Sequence, residues 1–216
     1  FINVPATSLT VSKQWVVEPG SQTPEVTVGL YRLVDGGKYE PVPDPVNSGQ
    51  NWTQTLNASN GWKATFDKLP LYAPAGGGES GDQYTYTVYE TAIGEEPVQD
   101  RETNDFYVYK VDTSENGNLS FLIRNVQKID LTVVKDWKDD NNSYGTRPDD
   151  LEIRLERKVA GGEFKAVPNI SHTEWTKIGN QWTCRYENLH YANPHGQVYE
   201  YQVTETVPDV VGALGY

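Results

Sequence analysis

The segment Leu9-Thr-Val-Ser-Lys13-Gln-Trp15 alternates apolar and polar residues, and it returns 122 positions later as Leu131-Thr-Val-Val-Lys135-Asp-Trp137. Alternation with a period of two, together with Val, Thr and Trp, is typical of a β-strand. A stretch that recurs with its lysine and tryptophan in place indicates an internal repeat. The sequence therefore predicts at least two copies of a β-rich unit.

Three further blocks recur in the same order, and the length changes between them are confined to loops. They pair Gly36-Gly37-Lys38-Tyr39 with Gly161-Gly162-Glu163-Phe164, Asn60-Gly-Trp62 with Asn180-Gln-Trp182, and Tyr84-Thr-Tyr86-Thr-Val88-Tyr-Glu90-Thr91 with Tyr199-Glu-Tyr201-Gln-Val203-Thr-Glu205-Thr206. Asn3-Val4 precedes Leu9 by the same six residues that separate Asn125-Val126 from Leu131. We therefore expect a tail of a preceding repeat with a linker at 1–8, a complete repeat at 9–127, and a second repeat at 131–216 that lacks its last strand.

The segments between turns alternate with period two, and none carries a helical apolar period over three turns. Such a pattern predicts an all-β fold in which each repeat is a seven-stranded sandwich. The strands of the first repeat are predicted at 9–17, 25–33, 38–42, 62–66, 83–91, 105–111 and 118–126.

Composition excludes several classes of protein. A formal net charge of -12 argues against nucleic acid or an anionic membrane as a partner. Without any run of 18 apolar residues, we expect no membrane insertion in this fragment. The single cysteine, Cys184, excludes an internal disulfide. We expect no metal or cofactor, because Asp139-Asp140-Asn141-Asn142 lacks the alternating spacing of a calcium loop. The three histidines lie in no nucleophile motif, so an enzyme acting on an outside substrate is not predicted.

Each repeat places charged residues on the strand face that its apolar residues share. Lys13 is in phase with Leu9 and Val11, and Glu90 is in phase with Tyr86 and Val88. Asn125 lies in the same phase as Phe121 and Ile123, and Lys135 and Glu205 repeat the pattern. One interpretation is a buried Lys-Glu ion pair with a hydrogen-bonded Asn, and another is a phase slipped by a β-bulge.

These same blocks resemble the B-type repeats of Gram-positive collagen adhesins and pilins. The motifs that carry the resemblance are Val-Ser-Lys13-Gln-Trp15, Asn-Gly-Trp62, Tyr-Thr-Val-Tyr-Glu90 and Ile-Arg-Asn125-Val, with Asp139 to Pro148 in the second repeat. The resemblance implies sandwiches of the immunoglobulin-like or prealbumin-like kind. It further implies a spontaneous isopeptide bond between Lys13 and Asn125, assisted by Glu90. A desolvated lysine amine is a competent nucleophile toward a carboxamide, and a protonated glutamate can hydrogen-bond the amide oxygen and shuttle protons.

A bond between the first and last strands predicts a structural stalk, a spacer within a cell-surface adhesin or pilin on a bacterial cell wall. Its expected partners are the neighbouring repeats of the same polypeptide and, through other domains, a host surface or matrix protein. The alternative is a module that binds a host glycan or matrix protein directly, for which Trp52 and Trp175 are the candidate stacking residues.

The second repeat has the lysine and glutamate but no matching asparagine, so we expect Lys135 to stay unbonded within this chain. The pattern of residues 1–4 raises the hypothesis that Asn3 of one molecule complements Lys135 and Glu205 of another by strand addition. The alternative is a short extended lead-in that lies on the surface.

Overall fold

A computed structural model of the protein describes residues 5–33, 37–74 and 81–206. The chain divides into two compact units, Phe1–Gln127 and Lys128–Tyr216. Regular structure in the described residues is β-strand, apart from one 3₁₀ turn at Ala58–Asn60. The predicted all-β class is confirmed.

The first unit contains two sheets. Its strands are β1 (Ala6–Val16), β2 (Val26–Leu33), β3 (Glu40–Pro41), β4 (Thr53–Leu56), β5 (Lys63–Pro70), β6 (Thr85–Ile93), β7 (Glu96–Pro97), β8 (Phe106–Asp112) and the first half of β9 (Leu119–Asp136). One sheet has the order β8-β9-β1-β5, in which β1 and β9 run parallel and the other pairs are antiparallel. The second has the order β3-β2-β6-β7, and β4 also pairs with β2.

Alternation along the strands builds one core between these sheets. Leu9 and Val11 of β1 are fully buried and pack in the same cluster as Leu30 of β2, Phe66 of β5 and Val88 of β6. Burying an apolar side chain of this size stabilises the fold by about 1.5–3 kcal/mol. The polar residues in the same phase, described below, lie in this core.

The first unit has nine strands in its described part, so the predicted count of seven is not confirmed. The additional strand of ordinary length is β4, whose Leu56 is buried against β2. An alternation of four residues cannot be told from a loop until its partner strand is known. The other difference is at β3 and β7, which are two residues long because each pairs with only one end of its neighbour.

The second unit also has two sheets. The second half of β9 pairs with β13, which pairs with β12, and the other sheet has the order β11-β10-β14. Within the described residues of this unit, β9 has a neighbour on one side only. The core centres on Leu155, Tyr186 and Leu189. The remaining strands are β10 (Ile153–Val159), β11 (Lys165–Ala166), β12 (Thr176–Ile178), β13 (Gln181–His190) and β14 (Tyr199–Glu205).

Candidate functional site

Three strands bring the polar residues of the first unit together. Lys13 lies on β1 opposite Ile123 of β9, and Asn125 lies two residues further along β9, opposite Trp15. Two residues of parallel strand span about 7 Å, which is within reach of an extended lysine side chain. Glu90 lies on β6 of the other sheet and reaches the same point from across the core.

Glu90 contacts both other residues at once. Its Oε1 accepts a hydrogen bond of 2.6 Å from Asn125 Nδ2, and its Oε2 lies 3.6 Å from Lys13 Nζ. The side chains of Lys13 and Glu90 have 0% solvent exposure, and Asn125 is equally buried. An amine, a carboxyl group and a carboxamide thus meet in a space that excludes water.

Burial changes the protonation of the two ionisable groups. Desolvation lowers the pKa of Lys13 to about 7, although the nearby Glu90 carboxylate opposes this shift. Desolvation also raises the pKa of Glu90, against the opposing influence of Lys13 and the hydrogen bond from Asn125. Both shifts favour the uncharged forms, because a charge without water is unfavourable. The site is therefore biased toward a neutral amine beside a carboxylic acid.

An indole ring closes the site on one side. The Nζ of Lys13 lies 4.1 Å from the ring centroid of Trp15, which is two residues further along the same strand. Trp15 packs edge-to-face on Phe106 and Trp62, with centroid distances of 5.0 and 5.8 Å. The sequence alone assigns no role to Trp15, yet its spacing of two from the lysine, repeated at Lys135 and Trp137, places it on the same strand face.

The orientation of the carboxamide differs from the expected one. We expected Glu90 to hydrogen-bond the amide oxygen of Asn125, but its carboxyl group contacts the amide nitrogen. Among the described residues, Asn125 Oδ1, Glu90 Oε2 and Trp15 Nε1 are buried without a hydrogen-bond partner. The carboxyl group of Glu90 therefore lies between the amine nitrogen of Lys13 and the amide nitrogen of Asn125. The carbonyl oxygen of Asn125 is buried and accepts no hydrogen bond from the described residues.

A cleft of about 860 Å³ adjoins this group of residues. Glu90, Val108 and Ile123 line it together with tyrosines such as Tyr89 and Tyr107. Residues of β6 and of β8, which belong to different sheets, line this cleft.

The corresponding residues of the second unit are arranged differently. Lys135 Nζ and Glu205 Oε2 form an ion pair of 2.6 Å, but their side chains are 28% and 40% exposed. Trp137 keeps its place beside the lysine, with 4.7 Å between Nζ and the ring centroid. Asn3, the candidate partner for this pair, lies outside the described residues.

The other candidate residues have structural roles. Arg147 binds the Asp139 carboxylate and the carbonyl oxygen of Gly179, and its guanidinium lowers the pKa of Asp139. Trp52 packs edge-to-face on Phe66 in the first core, and Trp175 donates its indole N–H to the carbonyl of Leu151. Both tryptophans therefore anchor loops.

Two negative findings apply to the described ranges alone. Histidine, cysteine and carboxylate side chains there form no group of three that could hold a metal ion. None of the helices in those ranges has the length and apolarity needed to cross a membrane.

Comparison with protein-family models identifies a family for both repeats. The model of the Cna protein B-type domain matches residues 9–109 and again residues 131–211. A Staphylococcus aureus protein described as "Collagen adhesin" is 29% identical over 206 residues, which covers 92% of this chain and 14% of that protein. Among solved structures, the open conformation of the pilus adhesin SpaC from Lactobacillus rhamnosus GG matches with a TM-score of 0.35 and 14% identity, over 83% of this chain and 22% of that one.

Proposed function

We propose, on the premise that the chain belongs to the Cna protein B-type domain family, that it is a tension-bearing part of a surface adhesin or pilus. The family match covers both repeats and confirms the resemblance identified from the sequence. In this proposal the chain acts outside the cell, on a bacterial cell wall, as a spacer rather than as an enzyme. Any host protein is bound by other parts of the full polypeptide, since the chain spans 14% of the collagen adhesin that it matches.

The first unit is closed, in this proposal, by a spontaneous isopeptide bond between Lys13 and Asn125. The observation that carries it is the buried contact of Glu90 with both the amine and the carboxamide. The alternative, a buried ion pair of lysine and glutamate with a hydrogen-bonded asparagine, has the same 2.6 Å contact, so detection of the covalent bond itself separates the two.

The reaction exchanges one C–N bond for another. The neutral amine of Lys13 attacks Cγ of Asn125, and the π electrons of the carbonyl move to Oδ1. The protonated carboxyl group of Glu90 gives its proton to Nδ2 and recovers one from Nζ. The bond from Cγ to Nδ2 then breaks, ammonia leaves, and the carbonyl re-forms as a secondary amide.

Glu90 is well placed to carry that proton. One of its oxygens faces the nitrogen that must lose a proton, and the other faces the nitrogen that must gain one. Because folding holds the three groups together, the effective concentration of the amine is far above that of a free amine in solution. The reaction therefore requires folding and no other enzyme.

The position of the bond accounts for the proposed mechanical role. β1 and β9 are neighbouring parallel strands, so tension on the chain ends would shear one strand past the other. A covalent bond between them passes the load across the sheet and shields the intervening residues. It also closes a loop of about 110 residues, and a cross-link of this span stabilises the folded state by about 4–5 kcal/mol through the unfolded chain.

The second unit would form the same bond only with a strand that supplies an asparagine to Lys135 and Glu205. In a longer polypeptide, a strand that follows the second repeat would occupy the open side of β9. Asn3 of another molecule is the alternative donor. Both ideas rest on the exposed lysine and glutamate pair and on the one-sided pairing of β9 in the described residues.

Peptide mapping of the purified chain tests the proposal. A protease digest should yield one branched peptide in which segments around Lys13 and Asn125 are joined, with a mass about 17 Da below their sum because one ammonia is lost. Lys13→Arg keeps the positive charge but removes the primary amine, and it should yield only linear peptides. Recovery of the two linear peptides in full amount from the unaltered chain would reject the proposal.

A further inference from the structure

The two orphaned polar atoms beside the site belong to residues that are directly paired. Trp15 of β1 lies opposite Asn125 of β9 in the parallel register. In the parts of the chain that the structure describes, Trp15 Nε1 is a buried donor without an acceptor, and Asn125 Oδ1 is a buried acceptor without a donor. Buried polar atoms are nearly always hydrogen-bonded, so two complementary exceptions on paired residues call for an explanation.

We propose that the indole N–H of Trp15 is the donor that stabilises the negative charge on Asn125 Oδ1 as the isopeptide bond forms. This inference rests on the proposed function, because it assigns a role within that reaction. The indole side chain would then act on both reactants, since its ring already lies 4.1 Å from the attacking Nζ of Lys13.

Glu90 does not donate a hydrogen bond to Asn125 Oδ1 in this geometry. Its two oxygens face the amine and the amide nitrogen, so it handles the proton and not the oxygen. When the amine attacks, Oδ1 moves out of the plane of the carboxamide and gains negative charge. A fixed donor aimed at that new position accelerates acyl transfer, and its contribution is largest in a site without water.

The second unit provides an independent observation. Trp137 follows Lys135 by two residues, and its Nε1 is again buried without a partner in the described residues. Its ring lies edge-to-face on Trp182 at 5.2 Å, as Trp15 lies on Trp62. An orphaned indole N–H is therefore kept in both units, including the one whose asparagine is absent from the described residues. If the ring served only for packing, a phenylalanine without the indole N–H would serve as well.

The rate of bond formation tests the inference directly. The full chain is kept unfolded in denaturant from the time it is synthesised, so that no bond can form before the experiment. Dilution of the denaturant then starts folding. The loss of ammonia is followed by intact mass, and folding is followed by circular dichroism. Trp15→Phe keeps an aromatic ring and removes the N–H, so cross-linking should slow by about 10²–10³-fold. Trp62→Phe makes the same substitution in the neighbouring ring, and its cross-linking rate should stay close to that of the unaltered chain.

A structural role is separated from a chemical one by two further measurements. In the Glu90→Gln background, adding Trp15→Phe should leave a folded unit with a similar melting temperature. In the unaltered, cross-linked chain, the indole proton resonance of Trp15 should lie downfield of its position in Glu90→Gln, because the new amide oxygen accepts its hydrogen bond.

The outcomes distinguish the inference from the proposed function. Equal cross-linking rates for the unaltered chain and Trp15→Phe would overturn the inference, as would equal slowing by Trp15→Phe and Trp62→Phe. A chain that never loses ammonia would instead reject the isopeptide bond itself.

Discussion

In the first unit the lysine and glutamate side chains have no solvent exposure, whereas in the second Lys135 is 28% and Glu205 is 40% exposed, although both units share the Lys-x-Trp motif. The distance between the amine and the carboxylate is nevertheless longer in the buried pair, at 3.6 Å, than in the exposed pair, at 2.6 Å. In the first unit Glu90 contacts both Asn125 and Lys13, whereas the carboxylate of Glu205 contacts Lys135.

The difference is produced by strands and not by the motif. In the first unit β1 has β5 on one side and β9 on the other, so both of its edges are paired. In the described second unit, the equivalent strand pairs with β13 alone, and Leu131 and Val133 are only partly buried where Leu9 and Val11 are fully buried. The completing strand therefore supplies both the asparagine and part of the burial that lowers the pKa of Lys13.

The largest predicted effect comes from matched substitutions of the two glutamates. Glu90→Gln removes the group that carries the proton, so the first unit should fold without the bond and lose about 4–5 kcal/mol of unfolding free energy. Glu205→Gln breaks an exposed ion pair, which contributes about 0–1 kcal/mol, and the variant should still lose one ammonia relative to its own sequence. Denaturant unfolding with intact mass measures both. Equal destabilisation by the two substitutions would contradict the comparison.

A smaller effect is expected from matched truncations in the apolar face. In the Glu90→Gln background, Val11→Ala removes two buried methyl groups and should cost the first unit about 2 kcal/mol. Val133→Ala, at the corresponding position, should cost the second unit less than about 1 kcal/mol because that side chain is only partly buried. Chemical denaturation resolves the two values. A larger loss for Val133→Ala would show that the second core is already complete.

The pH dependence of bond formation sharpens the comparison further. The lowered pKa of Lys13, about 7, and the raised pKa of Glu90 define a window in which the buried pair holds one proton, as the reaction requires. Above about pH 7 the last proton is lost, so the rate should fall about tenfold per pH unit. Below the pKa of Glu90 a second proton keeps Lys13 charged, so the rate should fall on that side too.

This profile is measured by diluting the unfolded chain into buffers of different pH and following the mass. A rate that rises continuously to pH 10 would mean that the lysine titrates as an exposed amine and that Glu90 carries no proton.

The smallest effect concerns residues 1–4. If they are a surface lead-in, light scattering should give the same monomer mass before and after their deletion. If Asn3 instead completes the second unit of another molecule, the unaltered chain should associate end to end with rising concentration and the deleted chain should not. Association that persists after the deletion would exclude Asn3 as the donor.

Much of the site could be predicted from local pattern. A period of two fixes which residues of a strand share a face, so the positions of Lys13, Glu90 and Asn125 in a common core followed from the apolar residues around them. The repeat strengthened this prediction because Lys135 and Glu205 recur in the same phase. The family was recognised for the same reason, since its motifs are the strands that carry these residues.

The rest depended on contacts between distant segments. The register that places Asn125 opposite Trp15 is set by the pairing of β1 with β9, which neither strand specifies alone. The side of the carboxamide that meets Glu90 depends on how the two sheets pack. For that reason the sequence predicted a contact with the oxygen where the structure has one with the nitrogen.

The most direct test of the central claim is the intact mass of the unaltered, folded chain. Condensation of Lys13 with Asn125, and no reaction at Lys135, predicts a single species about 17 Da lighter than the sequence, from the loss of one ammonia. A mass equal to that of the unmodified sequence would contradict the bond in the first unit. A loss of about 34 Da would contradict the distinction between the two units.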